Sequence, residues 1–302
     1  MDNHNAVAFC VTGPHLQYTA IAITSLLHQY QHETPLKILV VCDDVLQVDI
    51  DYIRSLPTKL NRPNVTIDFW RSPIWVRDLK PYPMNGRVSS APALSFWRMF
   101  LPAYFSTYHK ILYLDNDVIV NTDVTTLFDG LDDNHTIAAV GDFLFLGSKK
   151  YEPNSENTVN TLKAYGLKNM RHYFNGGVIV MNVTKYNELY TTEQILTLIK
   201  STSWNLADQT LMNIMFQGTT QLLPFRYNFQ HSLQYFKDSY DWDPDLIKPI
   251  IAEYPHIAIR HFAGEGLDSA PYEHVSIQDK WDATFWRLMH EVKQRSMNDN
   301  NV

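Results

Sequence analysis

The first 70 residues alternate short, continuously apolar runs with longer amphipathic segments, and this alternation limits the possible folds more than any other feature. The runs AVAFCV, KILVVC and NVTIDFW have the length and β-branched content of buried strands, and apolar residues recur at helical spacing between them. Parallel strands need such helical crossover connections, which cover the faces of the sheet. We therefore predict an α/β protein with a mixed, mainly parallel central sheet and helices on both faces.

Residues 71–92 interrupt this pattern with four prolines and one glycine, and a loop of that length inside a compact domain is more often functional than decorative. Beyond it, residues 110–120 (KILYLDNDVIV) are predicted to form one strand. Ligands of such sheets bind beyond the carboxyl ends of the strands, so polar residues there are the first candidates for a site.

The composition excludes some classes of function. A chain of 302 residues with 45% hydrophobic content can bury one large α/β domain or two smaller ones. It carries 25 basic and 32 acidic residues without a basic run, which disfavours a nucleic-acid partner and suits recruitment of a divalent cation. Cys10 and Cys42 lie inside apolar runs and are predicted to be reduced core residues.

Neither end of the chain has the pattern of a membrane segment. The N-terminus lacks a basic stretch followed by a long apolar one, and apolar residues nowhere run for the roughly 18 positions that a bilayer requires. Trp281, Phe285, Trp286 and Met289 recur at helical spacing, and such a stripe more often docks on its own domain than on a membrane. We expect a cytoplasmic protein, with peripheral contact at the inner face of the membrane as the most that this stripe would provide.

Asp115 and Asp117 follow the apolar run 111–114, which would carry them from the core to the edge of the sheet. On an extended chain, residues two apart point to the same side, so both carboxylates can bind one Mg²⁺ or Mn²⁺ ion. The pattern alone is weak, because Asp-x-Asp also occurs at 49–51 and 241–243. A solvated turn explains the acidic pair about equally well.

Four segments, LYLDNDVIV, FNGGVIVMN, ADQTLMN and HFAGEG, together resemble glycosyltransferase family 8 in sequence and order. The resemblance implies the glycosyltransferase-A fold, a uridine-diphosphate (UDP) sugar as donor, Mn²⁺ or alternatively Mg²⁺ as cofactor, and transfer with retention of anomeric configuration. It covers roughly residues 6–273, so we expect a catalytic domain at 1–273 and a helical extension, 274–302, packed on it.

The resemblance also implies roles for individual residues. Asp115, Asp117 and His261 would bind the metal, although a histidine after a strand is otherwise more often a hydrogen-bonded core residue. The donor-binding residues would be Cys10, Thr12, Arg98, Asn116, Asp142, Asn175, Gly176, Gly177 and Gly264. Two of these assignments have plain alternatives, an ordinary surface arginine for Arg98 and a simple turn for Asn-Gly-Gly.

Asp208 and Gln209 are the catalytic residues that the resemblance implies. The pair would face the donor sugar, with the glutamine nearest the anomeric carbon, although Asp208 could instead be a helix N-cap. We expect the acceptor hydroxyl to attack from the face that the diphosphate leaves. A double displacement remains the alternative, although an amide is a poor nucleophile.

Two departures from the family pattern affect donor binding. Thr12 replaces an aspartate that reads the uracil in relatives, and the diphosphate-binding lysine after Gly264 is missing, with Asp268 nearby. Phosphate binding would then be weaker, more dependent on the metal, or supplied by Arg260 or Arg77. The missing lysine leaves open a sugar-nucleotide-binding protein with little transfer activity. The same acidic pair, with water as the acceptor, would also serve a metal-dependent UDP-sugar hydrolase.

The resemblance implies the classes of donor and acceptor but not their exact identities. The donor sugar would be glucose or galactose, and the acceptor a glycan such as a bacterial surface polysaccharide, a lipooligosaccharide or a glycoprotein glycan. Phe229, Tyr235, Phe236 and Tyr240 could stack on this glycan or belong to the core.

Overall fold

The computed structural model describes residues 4–73, 76, 79, 83–84, 87–88, 94–152, 154–201, 207–238, 241–274 and 276–299. Most of the proline-rich loop, together with Arg77 and Tyr240, lies outside these described residues.

The described chain alternates strands and helices along most of its length. The strands are β1 Ala6–Thr12, β2 Leu36–Asp43, β3 Val65–Arg71, β4 Pro83–Met84, β5 Arg87–Val88, β6 Lys110–Leu114, β7 Val118–Val120, β8 Ile137–Gly141, β9 Phe174–Asn182, β10 Thr220–Leu222 and β11 Ile259–His261. The helices are α1 Leu16–Gln29, α2 Gln47–Lys59, α3 Leu94–Trp97, α4 Leu101–Tyr104, α5 Thr125–Gly130, α6 Phe143–Gly147, α7 Glu156–Tyr165, α8 Val183–Leu189, α9 Thr192–Ser201, α10 Ala207–Met215, α11 Tyr235–Asp238, α12 Pro244–Ala252, α13 Pro271–His274 and α14 Lys280–Asp299.

Among the described residues, the central sheet has seven strands in the order β10-β8-β9-β6-β1-β2-β3. Neighbouring strands run parallel except at β9, which is antiparallel to both β6 and β8. The predicted α/β architecture with a mixed, mainly parallel sheet is therefore confirmed. The carboxyl ends of β1 and β6 lie side by side, and the reversed β9 brings its amino end to the same edge.

The sheet separates two apolar layers. Phe9 and Val11 of β1 pack in the layer that contains α1, whereas Ala8 and Cys10 pack in the layer that contains α10. Alternate side chains point to opposite faces of a strand, so each strand that is buried on both faces contributes to both layers. Cys10 and Cys42 are free, buried and in different layers, as predicted for reduced core residues.

Helix α14 packs against α1 through the aromatic stripe identified in the sequence. Trp281, Phe285 and Met289 are buried in the same apolar layer as α1, and Trp286 is partly buried against it. The prediction that this stripe docks on its own chain is confirmed. Within the part of the chain that the structure describes, no helix is long and apolar enough to cross a membrane.

The single strand predicted over residues 110–120 is wrong. The structure has two strands there, and β7 leaves the central sheet to pair antiparallel with β11. Asn116 explains the break, because its side chain donates to the Cys10 carbonyl oxygen at 2.8 Å and accepts from the Thr19 hydroxyl at 2.6 Å. These bonds fasten the Asp-Asn-Asp segment to β1 and α1 at the rim of the sheet.

Candidate active site

His261 lies directly beside the acidic pair because β7 and β11 are paired. His261 stands opposite Val118 in the register, and the Phe262 N–H donates to the Asp117 carbonyl oxygen at 3.0 Å. The His261 Nε2 atom lies 3.3 Å from Asp117 Oδ1 and 3.6 Å from Asp115 Oδ2. Among the described residues, these three form the one group of His, Cys, Asp or Glu side chains that could hold a metal ion, with ligand atoms within 4.8 Å of one another.

Each charge in this group stabilises its neighbour. Burial raises the pKa of Asp117, but His261, a backbone hydrogen bond and Arg98 together outweigh burial, and the net pKa lies below its ordinary value. Burial lowers the pKa of His261, but the Asp117 and Asp115 carboxylates raise it by more. The carboxylates and the imidazole thus favour each other's charged forms.

Arg98 is a buried arginine at the centre of the site, so the surface alternative is wrong. Its Nη1 atom donates to Asp115 Oδ1 at 3.0 Å and to the Gly176 carbonyl oxygen at 2.5 Å, and its guanidinium lies over the Tyr113 ring. Burial lowers the pKa of Arg98, but Asp115 and Asp208 raise it by more. The guanidinium therefore stays charged and fixes the Asp115 carboxylate.

Asp208 lies in the first turn of α10 and is almost fully buried. Its Oδ2 atom is 2.7 Å from Arg98 Nε, but the Nε–H group points to the Ser95 carbonyl oxygen instead. Oδ2 thus has charge compensation without an aligned hydrogen bond from any described residue. Burial raises the pKa of Asp208 to about 6, Arg98 opposes the rise and Asp115 adds to it.

The Asn-Gly-Gly segment belongs to strand β9, so the simple-turn alternative is wrong. Asn175 Oδ1 accepts from the Gly177 N–H at 3.0 Å, and the Gly177 carbonyl oxygen accepts from the Asp115 N–H at 2.8 Å. A Cβ atom on Gly177 would overlap His261 Cε1 and lie 2.6 Å from Nδ1 and 2.9 Å from Asp115 Oδ2. A glycine is needed here because the group formed by Asp115, Asp117 and His261 packs directly on the backbone.

Gln209 and Asp142 are joined by a hydrogen bond at the same edge of the sheet. Gln209 Oε1 accepts from the Gly176 N–H at 2.9 Å, and Nε2 donates to Asp142 Oδ2 at 3.1 Å. Asp142 also caps the N-terminus of α6 and accepts from Asn175 Nδ2 at 3.3 Å. The structure therefore brings Asp142, Asn175, Gly176, Gly177, Asp208 and Gln209 together with Arg98 and the acidic pair.

Comparison with known proteins identifies the family. The model of the family described as Glycosyl transferase family 8 matches residues 6–265. The chain belongs to glycosyltransferase family 8.

Among its family 8 relatives, the lipopolysaccharide 1,2-glucosyltransferase of Escherichia coli K12 is 32% identical over 131 residues, covering 42% of this chain and 36% of that protein. Glycosyltransferase GlyE of Streptococcus pneumoniae serotype 4 is 29% identical over 169 residues, covering 53% of this chain and 35% of that protein. The chain thus matches about a third of the length of these relatives.

Solved structures confirm the glycosyltransferase-A fold. The galactosyltransferase LgtC in complex with donor and acceptor sugar analogues superposes with a TM-score of 0.69 at 20% identity, covering 95% of each chain. The bifunctional glycosyltransferase WbbM, in its apo form, gives a TM-score of 0.75 at 20% identity, covering 98% of this chain and 52% of that one.

Cys10, Thr12 and Asn116 lie where β1 reaches the edge of the sheet. The Cys10 carbonyl oxygen and the Asn116 amide are already bonded to each other, so both hold the Asp-Asn-Asp segment in place. Burial raises the pKa of the Cys10 thiol well above its ordinary value, which keeps it neutral.

Gly264 lies against Asp268 in this family 8 chain. A Cβ atom on Gly264 would lie 2.6 Å from Asp268 Cβ and 2.8 Å from its Cγ, and would overlap Oδ2. Asp268 in turn contacts His231 Nδ1 at 2.7 Å and Arg260 Nη2 at 3.3 Å. Arg260 is almost fully buried, so the expectation that it could replace the missing lysine on the diphosphate is wrong.

We expect Gly264→Ala to lower the free energy of unfolding by about 2–4 kcal/mol, because the added methyl displaces Asp268 and leaves Arg260 buried without its carboxylate. Urea unfolding measures this change. Unchanged stability with weaker UDP-sugar binding would instead assign the glycine to the diphosphate.

The proposed acceptor-stacking aromatics are mostly core residues. Phe229 and Phe236 are buried in the layer of α1, whereas Tyr235 is partly buried and stacks on His231 with ring centroids 4.1 Å apart. The aromatic pattern of this segment therefore arises mainly from packing.

Asn228 is a site residue that the sequence analysis missed. It is fully buried and bonds both Asn175 and His261. Asparagine is common in turns, so the sequence YNFQ carries no signal that separates this residue from an ordinary turn residue.

Proposed function

We propose that this family 8 glycosyltransferase moves glucose or galactose from a UDP sugar to a glycan acceptor, with retention of configuration and with Mn²⁺. One observation carries the proposal, the meeting of Asp115, Asp117 and His261 around one point at the rim of the sheet. Binding sites on open α/β sheets lie at this rim, and a cation beside the diphosphate stabilises the charge that develops when a nucleotide sugar loses its diphosphate.

The donor atoms fit the proposed metal. Two carboxylate oxygens and one imidazole nitrogen suit Mn²⁺, whereas Mg²⁺ prefers oxygen donors throughout. When bound, the cation would offset the negative charge that collects on the departing diphosphate. Arg98, held by Asp115 and Asp208, adds a fixed positive charge beside it.

Asp208 and Gln209 are proposed to act on the sugar. Asp208 is ionised above its pKa of about 6 and would stabilise the positive charge of an oxocarbenium-like ring. The amide of Gln209 is held at both ends and keeps a fixed place beside that ring. We propose that the acceptor hydroxyl attacks from the face that the diphosphate leaves, and that a departing phosphate oxygen takes its proton.

A donor screen tests this function. Purified protein is incubated with Mn²⁺ and a panel of UDP sugars, with and without glycan acceptors. Slow hydrolysis that an acceptor converts into transfer supports the proposal. Binding without turnover would replace it with a sugar-nucleotide-binding protein, and rapid hydrolysis that no glycan affects would replace it with a hydrolase.

The course of the reaction has its own test. Gln209→Glu and Gln209→Ala proteins are incubated with donor and analysed by mass spectrometry. We expect no sugar adduct on the chain, and a glycosylated side chain would establish a double displacement in place of attack from the leaving face.

Asp208→Asn is expected to stabilise the protein and to impair transfer. A carboxyl group whose pKa rises on folding stabilises the fold fully below its unfolded pKa, and this contribution is lost as the pH rises through its folded pKa of about 6. The variant avoids that loss, so its free energy of unfolding at pH 7.5 should exceed that of the wild type by about 1–3 kcal/mol.

Urea unfolding of both proteins at pH 5 and pH 7.5 measures the difference, which should grow as the pH rises. Transfer should fall about a hundredfold, because the charge that faces the sugar is lost. A stability difference that does not change with pH would contradict the assignment of this pKa to Asp208.

The remaining assignments are also proposals. The catalytic domain would comprise residues 1–273 and the C-terminal helical extension residues 274–302. The protein would act in the cytoplasm, with at most peripheral contact with the inner face of the membrane.

A further inference from the structure

Asn228 lies between the metal-binding group and the proposed sugar-binding residues. It ends the 3₁₀ turn Phe225–Asn228, and its side chain is completely shielded from solvent. Its Nδ2 atom is 2.9 Å from Asn175 Oδ1, and its Oδ1 atom is 2.9 Å from His261 Nδ1. A single amide thus contacts both His261, a proposed metal ligand, and Asn175, a proposed sugar-binding residue.

The orientation of this amide follows from the backbone. Asn175 Oδ1 accepts from the Gly177 N–H, which can only donate, so this end of the Asn175 amide must be its oxygen. The Asn228 atom that faces it must then be the NH₂ group. The Asn228 oxygen is consequently the atom that faces the imidazole.

The Asn228 oxygen determines the tautomer of His261. An amide oxygen can only accept, so Nδ1 of His261 must carry a hydrogen and donate it to Asn228. Nε2 is then the nitrogen that faces Asp115 and Asp117, at 3.6 and 3.3 Å. A histidine whose Nδ1–H is bonded in this way presents its Nε2 lone pair to a metal.

Backbone hydrogen bonds keep Asn228 in register with His261. The Phe229 N–H donates to the Ile259 carbonyl oxygen at 2.9 Å, and the His261 N–H donates to the Phe229 carbonyl oxygen at 3.0 Å. The amide therefore cannot shift along β11 without breaking both of these bonds.

We propose that Asn228 is a positioning residue that fixes the His261 tautomer, so that Nε2 is directed to the metal, and that links the metal to Asn175 on the donor side. The inference rests on the proposed metal site and adds to it a residue that does not touch the ion. Aspartate in place of Asn228 would still accept from Nδ1–H, but it could not donate to Asn175.

The test measures Mn²⁺ affinity by isothermal titration calorimetry, without donor, alongside urea unfolding. Asn228→Leu keeps the branched shape and removes the acceptor, and we expect it to weaken Mn²⁺ binding about 10–100-fold. Asn228→Asp should stay within about fivefold of the wild type, because the acceptor is retained.

Asn182→Leu is the matched control. Asn182 is a buried amide at the other end of β9 that accepts from the Lys185 N–H. No hydrogen bond joins Asn182 to His261 or to Asn175 among the described residues. Loss of the Asn182 amide should therefore lower stability and leave Mn²⁺ affinity within about twofold. Equal Mn²⁺ affinity of Asn228→Leu and wild type, or equal losses in Asn228→Leu and Asn228→Asp, would overturn the inference.

The wild-type protein provides a test that needs no folded Asn228 variant. In ¹⁵N-histidine-labelled protein with Mg²⁺, the His261 signal, identified by its loss in His261→Gln, should show hydrogen on Nδ1 and not on Nε2. Hydrogen on Nε2 would overturn this inference while leaving the metal site in place. A wild-type protein that binds neither Mn²⁺ nor Mg²⁺ would overturn both the metal site and the inference.

Discussion

Replacing Asp117 with asparagine is expected to weaken Mn²⁺ binding about a hundredfold and to lower transfer about a thousandfold or more. Asp117 Oδ1 is the carboxylate oxygen nearest His261 Nε2, whereas Asp115 is also held by Arg98. Asparagine keeps the shape and removes the charge, so the change is confined to the proposed metal ligands. Mn²⁺ titration and transfer assays over a range of Mn²⁺ concentrations measure it.

Asp51→Asn is the matched control for this prediction. Asp51 ends another Asp-x-Asp sequence, at 49–51, and its exposed carboxylate accepts from Gln47 on the surface of α2. We expect this variant to bind Mn²⁺ and transfer sugar like the wild type. If Asp117→Asn retained full activity without added metal, the metal-dependent mechanism would have to be abandoned.

Gly177→Ala is expected to lower Mn²⁺ affinity about 10–100-fold and transfer about a hundredfold, although the residue has no side chain. The new methyl group would overlap the His261 ring and approach Asp115 Oδ2 to 2.9 Å. Both of these proposed metal ligands would have to move, and β9 is held on both sides by its neighbours. Misplacement of a proposed ligand by about 1 Å accounts for a rate loss of this size.

Gly176→Ala is the matched control one residue away. Its Cβ atom would lie 3.3 Å from Arg98 Nη1, so a small shift of a long side chain relieves the contact. We expect a change of about tenfold or less in transfer and nearly unchanged Mn²⁺ affinity. Equal losses of Mn²⁺ affinity and transfer in the two variants would contradict this prediction. They would show that any side chain added at this end of β9 disturbs the site, whether or not it touches the proposed metal ligands.

The sequence predicted the secondary structure best where local rules decide it. β1, β2 and β3 lie where the apolar runs predicted them. Helix α7 begins after Ser155, whose hydroxyl accepts from the Thr158 N–H, and ends at Gly166 with φ +67°. Helix caps and continuous apolar runs depend on residues a few positions apart, which a sequence displays directly.

The predicted strand 110–120 shows where local rules fail. Its apolar residues fit one strand as well as two, and the break at Asn116 depends on bonds to Cys10 and Thr19, about a hundred positions away. Gly264 and Arg260 show the same limit. No local pattern indicates that Asp268 packs against Gly264 and pairs with Arg260.

The sequence by itself determined the alternation of strands and helices, the two apolar faces of the sheet and the motifs that identify family 8. Only the tertiary structure decided the position of His261 beside the acidic pair and the contacts of Asn228, which lies 53 positions from Asn175 and 33 from His261. The physical reason is the range of the interactions. Propensity and periodicity act between near neighbours, whereas the hydrogen bonds that orient the site join segments that meet only after β7 and β11 have paired.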